Sequence, residues 1–231
     1  MIIVITGTHK GIGYHIARHY VQEGHTVIGC SRHESEFEHD CYQHFIVDIR
    51  DEKQIDDFAK QIRKKYGKID ALINNAGIAA MNHFMMTPID TVRKLMEVNY
   101  LGSLACIRAF VSMLKKSDHP RVVNFSTVAV PFYLEGEMAY SSSKAAVESM
   151  TKVLAKELSG FHITLNAVGP TPVRTDLTAK VPEEKLNKIL DLQAIHRFCE
   201  FNDITNVIDF YLKPESDFIT GQVIYLGGVY R

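Results

Sequence analysis

Cysteine, net charge and uninterrupted apolar sequence are all scarce in this chain. Its four cysteines, Cys30, Cys41, Cys106 and Cys199, form no CxxC pair, so neither a zinc motif nor a dithiol redox motif is present. They are too sparse for a disulfide scaffold and read as thiols of a reducing compartment. Lys and Arg total 26 against 27 Asp and Glu, so no strongly basic domain points to a nucleic-acid partner. No apolar run approaches the ~20 residues of a membrane span, and no membrane partner is expected. No histidine or acidic cluster has metal-ligand spacing, so no metal is expected. Residues 2–5 are apolar without a charged segment before them; they read as a first strand rather than a leader, which makes the cytoplasm the expected location.

Hydrophobic residues make up 46% of the 231 and charged residues 23%, a globular composition that argues against disorder. Short apolar runs alternate with helical patterns. Strands are expected at 2–5, 26–30, 45–47, 71–73, 122–125, 163–168 and 223–226. Helical spacing covers Ile12 to Val21, Ile55 to Tyr66, 89–101, 104–114 and 140–158. This alternation predicts an α/β fold: a Rossmann-type doubly wound parallel sheet of about seven strands with helices on both faces. With no linker or repeat, residues 1–231 are expected to form one dinucleotide-binding and catalytic domain. An excursion at about 176–197, with Leu186, Ile189 and Leu190 at helical spacing, follows the sixth strand. It is expected at the C-terminal sheet edge, where doubly wound folds bind ligands.

Between the first strand and the first helix, Gly7, Gly11 and Gly13 are spaced GxxxGxG. Glycines there let backbone N–H groups approach a pyrophosphate, and the helix N-terminus adds partial positive charge. Lys10 and Ile12 lie in the same turn. After the second strand, Ser31 stands where an NAD site usually has an acid, and Arg32 follows it. An arginine there accommodates a ribose 2′-phosphate, so NADP(H) is preferred, with NAD(H) the alternative.

Thr6-Gly-(x)3-Gly-Ile-Gly13, Asn74-Asn-Ala-Gly77, Asn99, Tyr140-Ser-Ser-Ser-Lys144 and the 170–175 segment occur in a telling order. In that order they resemble the short-chain dehydrogenase/reductases, in the single-domain branch that includes 3-oxoacyl-(acyl-carrier-protein) reductases and hydroxysteroid dehydrogenases. The resemblance implies that Tyr140 is the general acid/base and that Lys144 contacts the nicotinamide ribose. Tyr140 and Lys144 are four residues apart and share a helix face. A nearby ammonium is expected to lower the phenol's pKa. The substrate-orienting hydroxyl falls at Thr127, with the adjacent Ser126 kept as the alternative. By the same resemblance the backbone of Asn99 holds a water linking the lysine to solvent, and Asp48 bonds the adenine amino group. Read without the resemblance, Asp48 could equally cap the following helix. Asn75, Ala76 and Gly77 lie along the adenosine side of the cofactor. Pro170, Val173 and Thr175 match positions at the nicotinamide carboxamide.

Two departures from the family pattern stand out. Thr171 occupies the position of a glycine after Pro170, and Leu226 replaces an acid before Gly227-Gly228. The expected substrate is a small carbonyl compound or secondary alcohol. Pocket candidates are Ala79, Ala80, Val128 to Tyr133, Met138 and the excursion; Arg174 and Lys180 are isolated cations. The expected activity is hydride transfer between NADP(H) and that substrate. The alternatives are an NAD-dependent polyol or sugar dehydrogenase and a non-catalytic dinucleotide-binding redox sensor. Relatives in this family imply a homodimer or homotetramer built through the long helices.

Overall fold

A computed structural model describes residues 1–179 and 181–229; Lys180 of the excursion and residues 230–231 lie outside the described residues. Seven strands form one sheet: β1 Ile2–Thr6, β2 Thr26–Ser31, β3 Tyr42–Ile46, β4 Ala71–Asn74, β5 Arg121–Phe125, β6 Thr164–Gly169 and β7 Val223–Tyr225. Every pairing is parallel, in the order β3-β2-β1-β4-β5-β6-β7. The helices are α1 Gly11–Gln22, α2 Glu52–Tyr66, α3 Ile89–Met96, α4 Gly102–Leu114, α5 Ala129–Phe132, α6 Met138–Glu157, α7 Glu183–Asp191 and α8 Phe201–Leu212.

Helices cover both faces. Phe58 and Ile62 of α2, Phe110 and Met113 of α4, and Val147 and Met150 of α6 form one apolar layer. Ile16 and Tyr20 of α1 with Ile204, Ile208 and Tyr211 of α8 form the other. The central strands therefore carry apolar side chains on both sides, and Ile3, Val4 and Ile5 are fully buried. The strand order reverses between β1 and β4, which opens a crevice at the C-terminal ends of these strands.

Three local outcomes differ from expectation. First, the two helices expected at 89–101 and 104–114 form one helical run, joined by a π turn at Glu97–Leu101 that contains Asn99. Second, β3 spans Tyr42–Ile46 rather than 45–47, so Asp48 lies beyond the strand. Nor does Asp48 cap α2: Asp51 does, accepting from the N–H groups of Lys53 and Gln54. Third, α8 has no counterpart among the expected elements. Its sequence FNDITNVIDFYL is rich in β-branched and aromatic residues with modest helix propensity. Burial of Ile204, Ile208 and Tyr211 against the sheet outweighs that propensity. Its start was nonetheless legible, because Glu200 and Asp203 form a reciprocal capping box.

Candidate active site

A cavity of about 740 Å³ runs along the C-terminal ends of the strands. The phosphate turn forms its floor. Gly7 has φ +77°, and a Cβ there would lie 2.8 Å from the Cα of Ala76. At Gly13 a Cβ would stand 2.3 Å from both the Gly7 carbonyl oxygen and Asn75 Nδ2. Gly13 thus packs α1 against the turn, and it does not itself line the cavity. Asn75 Nδ2 donates to the carbonyls of Thr6 (2.9 Å) and Gly7 (3.1 Å), and the Ala76 N–H donates to Thr6 Oγ1 (3.0 Å). The Asn-Asn-Ala-Gly segment therefore holds the turn in shape.

The N-terminus of α1 suits an anion. Lys10 is its N-cap, no side chain caps it, and its first turn carries no acid. The unpaired N–H groups and the helix dipole both favour a phosphate there. Lys10 Nζ meets Asp176 Oδ2 at 2.6 Å, which ties the turn to the segment after β6. Arg32, at the end of β2, is exposed and lines the cavity beside Ser31 and Asp48. Both Asp48 carboxylate oxygens accept from Arg50 Nε at 3.0 Å. The Arg50 guanidinium holds this carboxyl below its ordinary value. Ile12, Gly77, Pro170, Val173 and Thr175 line the same cavity. An open helix end, a cation at the end of β2 and an elongated cavity together fit a dinucleotide.

At the other end stand Thr127, Tyr140 and Lys144. The Thr127 hydroxyl accepts from the Ala129 N–H at 3.2 Å and acts on the Tyr140 phenol. Burial raises the Tyr140 phenol to about 12, the charge of Glu137 adds to that, and the Thr127 hydrogen bond opposes it. Lys144 is buried, and its burial lowers the ammonium to about 8. Its Nζ donates to the Phe125 carbonyl at 2.9 Å. The expected lowering of the phenol is therefore not found: burial and the charge of Glu137 raise it.

Ser126 lines the cavity too, but its hydroxyl donates to Glu148, which also accepts from the Tyr225 hydroxyl at 2.5 Å. Of the two hydroxyls, Thr127 is therefore the one that acts on Tyr140. Asn99 does not line the cavity. Its side chain accepts from the Ile78 N–H (2.9 Å) and donates to the Ile78 carbonyl and Ser143 Oγ (both 2.9 Å). Its own carbonyl accepts from Ser103 Oγ at 2.9 Å. The π turn thus pins the segment after Gly77, where a Cβ would come within 3.2 Å of Asn99 Oδ1 and 3.4 Å of Lys144 Nζ.

Thr171 is buried, and its methyl takes the space a Cβ on Gly227 would need, since the two would be 2.9 Å apart. Leu226 packs into the apolar layer around α1 and α8. Both departures are accommodated by packing. Of the pocket candidates, Ala79, Val128, Ala129, Val181, Leu186 and Ile189 line the cavity, whereas Ala80, Val130 to Tyr133 and Met138 do not. Leu134 and Glu137 line it instead and were not anticipated. The signal for Glu137 was its position three residues before Tyr140, which puts both on one helix face. Among the described residues, no group of three or more His, Cys, Asp or Glu could hold a metal ion, and no helix is long and apolar enough to cross a membrane.

Comparison with known proteins agrees with this architecture. A family model described as enoyl-(acyl carrier protein) reductase matches residues 7–229. The chain is 32% identical to the 3-oxoacyl-(acyl-carrier-protein) reductase of Thermotoga maritima, covering 98% of this chain and 96% of that one. It is 26% identical to the 3alpha-hydroxysteroid dehydrogenase of Mediterraneibacter gnavus, covering 100% of this chain and 96% of the relative. Among solved structures, the ligand-free aldohexose dehydrogenase of Thermoplasma acidophilum matches with a TM-score of 0.89 at 28% identity, covering 99% of this chain and 93% of that one. ElxO with NADP bound matches at 0.88 and 26%, covering 97% of this chain and 96% of that one. The chain belongs to the short-chain dehydrogenase/reductase family and is an oxidoreductase.

Proposed function

We propose that this protein transfers a hydride between NADP(H) and a small carbonyl compound or secondary alcohol, with Tyr140 as general acid/base. The observation that carries this reading is the grouping of Thr127, Tyr140 and Lys144 in one cavity with the uncapped N-terminus of α1. When bound, the nicotinamide supplies or takes up the hydride. In the reductive direction Tyr140 donates its phenolic proton to the carbonyl oxygen as the carbon accepts the hydride. A phenol near 12 is well suited to remain protonated until that moment. Thr127 orients the oxygen, and Lys144 holds positive charge near the phenolate that forms. The N–H groups of Gly11 and Ile12, with Lys10, receive the pyrophosphate. Arg32 pairs with the 2′-phosphate beside Ser31, and this supports NADP(H) over NAD(H). Asn75, Ala76 and Gly77 flank the adenosine side, while Pro170, Val173 and Thr175 face the nicotinamide.

The same reading makes the protein a cytoplasmic homodimer or homotetramer. Exposed apolar residues Leu101 and Val153, on the long helical run and on α6, support that assembly. The deciding experiment uses NADPH deuterated at nicotinamide C4 with a panel of ketones. Deuterium on the carbinol carbon of a product is the expected result. Cofactor binding without transfer to any member of the panel would overturn the reading.

A further inference from the structure

Glu137 presents an unexplained feature of the cavity. It is the N-cap residue of α6, and only 7% of it is exposed. Its Oε2 is buried and has no hydrogen-bond partner among the described residues. Glu137 is one of the residues lining the cavity, and its charge acts on Tyr140 one helical turn away. Leu134, Met81, Val181, Leu186 and Ile189 are apolar residues of the same cavity. The cation acting on it is Lys185 of α7, whose Nζ lies 3.9 Å from Met81 Sδ and does not bond Glu137.

A buried carboxylate oxygen with no partner is costly and uncommon. Above about pH 7 the Glu137 carboxyl is ionised and only accepts hydrogen bonds, so its missing partner there is a donor. Lys185 already offsets the charge, which favours a neutral donor over a second cation. Residues three apart on a helix have Cβ atoms roughly 5–6 Å apart. A donor on Glu137 therefore sits on the same side of the cavity as a carbonyl on Tyr140.

Resting on the hydride-transfer reading above, we propose that Glu137 is a specificity-determining residue that accepts a hydrogen bond from a substrate hydroxyl close to the reacting carbonyl. The substrate class is then hydroxyketones and the corresponding diols. A site built around such a bond discriminates against the analogue that lacks the hydroxyl, because the carboxylate is left unpaired.

The test is a ratio. The kcat/KM for acetoin over that for butanone is measured in the wild type, E137Q and E137L. The wild type is expected to favour acetoin by about tenfold or more. That preference is expected to vanish in E137L and to return in part in E137Q. A purely structural role would lower both rates together and leave the ratio unchanged, which would overturn the proposal. A Glu137-dependent preference for aminoacetone over hydroxyacetone would overturn the choice of a hydroxyl. Calorimetric titration with butane-2,3-diol and 2-butanol, with and without NADP⁺, separates this proposal from the hydride-transfer reading. Tighter diol binding that is lost in E137L supports the proposal even where no turnover occurs; equal binding of the two alcohols overturns it.

Discussion

Ser126 donates to Glu148 on the helix that carries Tyr140, while the hydroxyl of the adjacent Thr127 acts on the Tyr140 phenol. Two neighbouring hydroxyls thus have separate partners, one at the reacting centre and one behind it. T127A is expected to lower kcat by about a hundredfold, and T127S to restore most of it. S126A is expected instead to cost about 1–3 kcal/mol of stability, because buried Glu148 loses a donor. Steady-state kinetics and chemical denaturation of the three variants check the assignment. The reverse pattern would place the orienting hydroxyl on Ser126.

Tyr140 and Lys144 give a second prediction. Y140F is expected to abolish hydride transfer while NADPH still binds within a few-fold of the wild-type affinity, read by fluorescence titration. Burial lowers Lys144 to about 8, so its positive charge is lost as pH rises through that value. The reductive kcat/KM is expected to fall above about pH 8 for this reason. The Tyr140 phenol, near 12, remains protonated over that range. A profile flat to pH 10 would count against a charged Lys144 in the reaction.

Arg32 is exposed at the end of β2, with no acid in place of Ser31. R32A is expected to weaken NADPH binding roughly tenfold or more and to leave NADH binding within about twofold. The NADPH affinity of the wild type is also expected to fall more steeply with salt than its NADH affinity. Equal losses for both nucleotides would show that Arg32 does not meet the 2′-phosphate.

Glu137 links the cavity to stability. Burial raises its carboxyl from 4.5 to about 7. Between those values the folded protein holds a proton that the unfolded chain has released. Stability is therefore expected to decline as pH rises from about 4.5 through about 7, by something of the order of a few kcal/mol. E137Q removes the titrating group. Its Tm is expected to exceed that of the wild type at pH 8, with the two converging near pH 5. A constant Tm difference across that range would contradict the buried, ionising carboxylate.

Much of this molecule was legible in sequence because its signals are local. Apolar runs bounded by glycine and polar turns mark the strands, and 3.6-residue spacing marks α1, α2, α6 and α7. The glycine turn and the Tyr140/Lys144 spacing follow from helix and turn geometry alone. Where propensity and tertiary burial disagreed, local reading failed. The β-branched segment Phe201–Leu212 became a helix because the sheet face needed covering. The π turn at Glu97–Leu101 arises where Asn99 bonds the backbone of Ile78, a partner twenty-one residues away.

The sequence by itself determined the βα order, the anion-ready turn after β1 and the set of residue types able to move a proton and hold a nucleotide. Tertiary structure alone decided how those groups are paired. It set Thr127 with Tyr140 in the cavity and turned Ser126 toward Glu148, and it placed Glu137 rather than Met138 in the cavity wall. It also reversed the expected lowering of the Tyr140 phenol. The reason is physical: spacing along a chain sets which side chains share a face, whereas burial and partner choice depend on what other segments bring against that face.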